Sequence, residues 1–114
     1  MTRIASPGGS CFKTPAYRNR ALLDLARLAP YCMACDAPND GTVVAAHSNE
    51  GKGMAIKASD ASIMFLCHTC HSAYDQGKVM ERTERRAMAF EASAKTLRWL
   101  VERGHLIVAG SGRR

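Results

Sequence analysis

The apolar positions of this chain change period several times, and each change marks an element. Leu22, Leu25 and Leu28, with Leu23 beside them, fall at helical spacing between Asn19, a good N-cap, and Pro30, a breaker; they predict a helix over about residues 20–28. Thr42-Val43-Val44-Ala45-Ala46-His47 opens on β-branched residues and predicts a strand. Ile63-Met64-Phe65-Leu66 is a short apolar run after the turn-like Ser59-Asp60-Ala61-Ser62, and reads as the hairpin partner of that strand. The chain from Cys67 to Gln76 then turns into a helix, ended by Gly77. Thr83 is placed to cap a long helix over about residues 84–103, ~30 Å at the helical rise. Ala87, Phe90, Ala94, Leu97 and Val101 recur along it at three- and four-residue intervals, which predicts a core-facing stripe, and Gly104 suits the C′ position. His105 to Ala109 allows a short final strand.

The pattern therefore describes a small α+β protein of one domain. Residues 1–18, with Ser6-Pro7-Gly8-Gly9-Ser10 and Pro15, form a flexible basic arm; residues 19–109 hold the folded domain; residues 110–114 form a basic tail. At 114 residues the domain buries a limited share of its surface, so a metal staple would help it. No apolar run is long enough to span a membrane, and the first residues lack the apolar run of a secretory signal, so a cytoplasmic protein is expected. In a reducing compartment, cysteines serve metal ligation more readily than disulfides.

Four of the five cysteines stand in two C-x-x-C pairs, Cys32/Cys35 and Cys67/Cys70, which together complete a tetrahedral four-thiolate zinc site. Cys11 is left as a free thiol. A zinc ion with four thiolate ligands keeps no open position for water, so this site holds the fold rather than performing chemistry. His71 and Asp75 differ: at i and i+4 on a helix they share one face, where an imidazole nitrogen and a carboxylate oxygen can hold a second divalent ion, Mg²⁺, Mn²⁺ or Zn²⁺. A surface pair that only supports the helix is the plainer alternative. His47 ends its strand, and an imidazole there can act as a general base. Lys52 and Lys57, in a loop with two glycines, and Arg82, Arg85 and Arg86, opening the last helix, supply positive charge. The glycine spacing of that loop fits neither a Walker A motif nor a dinucleotide fingerprint. The net charge of +6 suits a polyanion partner, most simply DNA. A metal ion, a base and a basic surface are together what phosphodiester hydrolysis needs.

These residues resemble a family. Cys32-x-x-Cys35, Ala46-His47, Asp60 ahead of the second pair, and Cys67-x-x-Cys70-His71 are similar to the HNH, or ββα-metal, endonucleases. More narrowly, Ala46-His47-Ser48-Asn49 with Cys-x-x-Cys-His-x-x-x-Asp resembles the YbcO-like phage and prophage nucleases linked with recombination genes. The resemblance covers about residues 20–80 and implies a ββα-metal motif carried on a four-cysteine zinc knuckle and flanked by helices. It implies His47 as general base, His71 and Asp75 as ligands of the catalytic ion, and Asp60 or Asn49 as the group that steadies the base. Ala46 departs from the pattern, because many HNH enzymes carry Asp or His there as a further ligand; water, phosphate or Asp60 is then left to complete the shell.

Three other readings compete. A zinc-held DNA-binding module without catalysis keeps the cysteine site and the basic helix. A c-type haem protein would use Cys67-x-x-Cys70-His71 but leaves Cys32 and Cys35 without a role. An interaction adaptor of the zinc-finger kind would need an exposed apolar patch, which the pattern does not indicate. The last helix can pair with a second copy of the chain, although covering the hairpin explains its stripe equally well.

Overall fold

The computed structural model describes residues 16–48, 58–76 and 80–110. Its elements follow in the order α1 (Arg20–Asp24), continued by a 3-10 turn (Leu25–Leu28), β1 (Val44–His47), β2 (Ile63–Leu66), α2 (His68–Gln76) and α3 (Arg82–Glu102). The result is a small α+β fold, a two-stranded sheet with helices around it.

Asn19 caps α1 as expected, its Oδ1 accepting from the Leu22 amide at 3.0 Å. The expected continuous helix instead tightens into a 3-10 turn after Asp24. Tightening advances each residue by about 120° rather than 100°, so the leucine stripe drifts off the core. Leu28 is exposed, and Leu22, Ala26 and Ala29 are the buried positions.

The hairpin forms in the expected order, antiparallel, with Val44 opposite Leu66 and His47 opposite Ile63. β1 begins at Val44 rather than Thr42. All four residues of β2 are buried, as a continuous apolar run requires of a strand covered on both faces. Phe65 points its amide and carbonyl away from β1, and both groups are taken. Its N–H donates to Thr96 Oγ1 of α3 at 3.1 Å, and its carbonyl accepts from the Met33 amide at 2.9 Å. The edge of β2 that would otherwise stand open is thus closed by α3 on one side chain and by the first cysteine turn on one backbone bond.

α3 starts two residues before the expected helix. Glu81, not Thr83, is the N-cap, and it forms a capping box with Glu84. At the other end Gly104 takes a positive φ of 79°, and its amide and that of His105 return to the Val101 and Leu100 carbonyls. This is a Schellman stop with glycine at the expected C′ position. No strand follows among the described residues; His105 instead lies against the Trp99 ring, centroids 5.0 Å apart.

The face that α3 buries is a correction to the sequence pattern. Ala89, Ala92, Thr96 and Leu100 face the core, while Phe90, Leu97 and Val101 are 56%, 56% and 53% exposed and Ala87 and Ala94 are exposed with them. The two stripes lie about 130° apart around the helix at 100° per residue. Bulk explains the choice: β2 fills the interface with Met64, Phe65 and Leu66, so α3 approaches through small residues.

Thr96→Val keeps the shape of the side chain but leaves the Phe65 amide buried without its acceptor. We expect a loss of about 1–3 kcal/mol, read as a lower urea midpoint with unchanged slope.

Candidate functional site

The two cysteine pairs arrive from different directions. Cys32 to Cys35 form a tight turn after α1, held by the Asp36 amide returning to the Cys32 carbonyl at 2.9 Å, with Asp36 itself in the left-handed region at φ 65°. Lys95 of α3 grips Asp36 at 2.7 Å. Asn39 braces the other side, its side chain donating to the Ala29 carbonyl at 2.8 Å. Cys67 and Cys70 come from the end of β2 and the first turn of α2. The four sulfurs lie within 4.8 Å of one another, with Cys35 Sγ and Cys67 Sγ 3.9 Å apart. Among the described residues this is the one group of three or more Cys, His, Asp or Glu side chains gathered closely enough to hold a metal ion.

The thiols are prepared unequally. Burial opposes ionisation of Cys32, but the amides of Cys35, Cys67 and Ala34 directed at its sulfur outweigh it and bring its pKa down to about 7. Cys70 is pushed well up, first by burial and then by the neighbouring thiols. Four thiols crowded together cannot all ionise unaided, so a cation that takes the place of the protons on the sulfurs is the natural partner of this donor set, which is consistent with zinc.

The hairpin carries a second cluster at its opposite end. His47 closes β1, and its Nε2 lies 2.8 Å from Asp60 Oδ1. The Asp60 carboxylate is 5% exposed and fully engaged. It accepts from Arg18 Nη1 at 3.0 Å and from the Asn19 amide at 2.7 Å. Its own amide reaches the Tyr17 carbonyl at 3.0 Å. Asp60 is held below the usual carboxylate range, by the His47 bond first, then by Asn19 and Arg18. Tyr17 and Arg18, placed by composition in the basic arm, thus belong to the folded domain. Asp60 is not gathered with His71 and Asp75 into a three-ligand group among the described residues.

On α2, His71 Nε2 and Asp75 Oδ2 meet at 3.1 Å on the surface, as their i, i+4 spacing implies. No third Cys, His, Asp or Glu ligand atom joins them among the described residues. Ala46, beside His47, is buried in the core at 2% exposure. Arg85 is committed to the fold: its Nε and Nη2 donate to the Tyr74 carbonyl at 3.0 and 2.8 Å, and it lies over the Tyr74 ring. Arg82 is exposed, and Arg86 lies 5.9 Å from the Phe90 ring centroid. Asn49, Lys52 and Lys57 fall outside the described residues.

Sequence reasoning missed the Arg18 and Asn19 clamp on Asp60. Arg18 lies 42 residues from its partner, and nothing local to it signals that contact. The chain matches no family model, no curated protein and no solved structure.

Purified protein is expected to carry one metal ion per chain by elemental analysis. Its affinity for that ion should rise with pH through the region near 7 where Cys32 ionises, because the ion and protons compete for the same sulfurs. Cys35→Ser should lower both the metal content and the melting temperature.

Proposed function

We propose that this chain is a metal-dependent endonuclease that hydrolyses phosphodiester bonds in DNA. The observation that carries the reading is the His47–Asp60 pair. An ionised Asp60 can only accept, so the proton between the two groups sits on His47 Nε2. In the neutral ring Nδ1 then carries the lone pair, and the His47 side chain is one-third exposed. An imidazole fixed in one tautomer by a buried carboxylate is built to take a proton from an attacking water. Arg18 and the Asn19 amide keep Asp60 anionic and still, so the imidazole is held in one orientation without depending on a mobile side chain.

His71 and Asp75 supply an imidazole nitrogen and a carboxylate oxygen for a divalent cation, Mg²⁺, Mn²⁺ or Zn²⁺. Bound there, it would act as a Lewis acid toward the scissile phosphate and its departing oxygen. The order hairpin then helix, with a histidine ending the first strand and another on the helix, agrees with the HNH resemblance of the sequence. On this reading the four cysteines hold a structural zinc and take no part in the chemistry.

Two observations favour a second reading, a zinc-held module that binds DNA without cutting it. Ala46 leaves the position before the base without a ligand, and His71 and Asp75 have no third protein ligand among the described residues.

Nicking of supercoiled plasmid separates the two. The nuclease should cut with Mg²⁺ or Mn²⁺ and not with EDTA, and His47→Ala should lower turnover by about 10²–10⁴-fold while DNA is still retained. Asp60→Asn should lower turnover as well, since it loosens the tautomer without removing the base. Retention of DNA by wild-type protein with no cutting under any metal would leave the binding module.

A further inference from the structure

The stripe that α3 was expected to bury lies in the open, and its spacing is that of a helix-pairing seam. Ala87, Phe90, Ala94, Leu97 and Val101 follow one another at intervals of three, four, three and four residues, the a/d pattern of a coiled coil. A stripe used to cover the sheet would be buried in the monomer; this one is not, because Ala89, Ala92 and Thr96 already do that work. Nor does the stripe stand alone. Its middle, Phe90, Ala94 and Leu97, lines one side of a largely apolar groove of about 380 Å³, whose other side includes Leu22, Ala61 and Leu106.

We infer that two copies of this chain pair through α3, with the helices antiparallel and each seam seated against the other. Size and charge on the page both select this occupant and this direction. In the antiparallel register that sets Leu97 against the partner copy's Ala94, Phe90 meets Val101, so each of the four central layers joins a larger side chain to a smaller one, and Ala87 lies beyond them. The flanking positions then bring Glu91 of one copy toward Arg98 of the other, twice by symmetry. Arg98 already pairs with Glu102 at 3.2 Å in its own helix, so it gains a second acidic neighbour. A parallel pair would stack each residue on its own copy, and would bring the two Arg82–Arg86 ends of a chain with net charge +6 together. The antiparallel pair sends those ends apart and opposes the two helix dipoles.

This pairing does not depend on the nuclease reading, and its test has a different readout. Sedimentation equilibrium on the metal-loaded full chain should give a dimer at micromolar concentrations. Leu97→Glu and Val101→Glu, both at exposed positions, should give monomers that keep their metal content and helical circular dichroism. Glu91→Arg alone and Arg98→Glu alone should each weaken association about tenfold, and the double exchange should restore it. A monomeric wild type at tens of micromolar, or a dimer indifferent to Leu97→Glu, would overturn the pairing. A dimer sensitive to Leu97→Glu but indifferent to Arg98→Glu would overturn the antiparallel register.

Discussion

The fold depends on bringing two cysteine turns to one point. Residues 32–35 and 67–70 are far apart in sequence, and the loop between them contains the whole hairpin. A two-stranded sheet of four residues a side is marginal by itself in water. Here β2 is held at two points on the cysteine side. β2 runs directly into Cys67, and the Met33 amide of the first turn bonds to the Phe65 carbonyl one residue before Leu66. A metal ion gathering the four sulfurs would therefore close the loop, fix the start of α2 and set the edge of β2 in a single step. Such a contribution is on the order of 10 kcal/mol for structural zinc, comparable to the whole stability of a small domain.

The hairpin register then separates the cysteine cluster from the His47–Asp60 pair. Val44 and Leu66 stand at the cysteine end, His47 and Ile63 at the other, about 10 Å away along the strand. Ser48 extends the pairing by one bond to the Ser62 carbonyl at 2.8 Å, and Asp60 follows just beyond. His47 and Asp60 thus belong to a stretch of backbone whose course is set by ladder bonds and by the Asn19 and Arg18 clamp, not by the sulfurs. On the proposed reading, the base could be altered without disturbing the staple, and the staple could be retained in a chain that had lost the base.

Much of this was legible in the sequence, for a physical reason in each case. The C-x-x-C pairs declare themselves because few other uses need two thiols at that spacing. Ile63–Leu66 is a continuous apolar run too short for a helix. Asn19 and Gly104 signal through backbone chemistry that is local to them. The failures also share a reason. The three- and four-residue spacing of Ala87, Phe90, Ala94, Leu97 and Val101 picks out one face of α3, whereas the face packed on β2 carries Ala89, Ala92, Thr96 and Leu100; a helix close on a strand of large side chains needs mostly small ones, and only the partner surface reveals it. The 3-10 turn after Asp24 likewise redirected a leucine stripe that a regular helix would have buried. Asp60 was noticed, but its clamp was not, because the arginine that holds it comes from the other end of the domain's first half.

The same distinction applies to charge. A net charge of +6 suggested a surface for nucleic acid, but formal charge counts residues and not the work they do. Arg18 is spent on Asp60, Arg85 on the carboxyl end of α2, and Lys95 on the turn that carries two of the cysteines. Arg20 and Arg98 are paired along their own helices. Each of these cations is held by a partner within the fold, so it offers a phosphate backbone less than a free one would. Arg27, Arg82 and Arg103 are exposed, with no ion pair among the described residues, and they sit on separate elements. Among the described residues, the cations without an ion pair are therefore dispersed and form no dense face; Lys52 and Lys57 lie outside those residues. On the proposed reading, the salt dependence of DNA binding scales with the phosphates neutralised, and the described residues contribute fewer free cations to it than their formal charge implies.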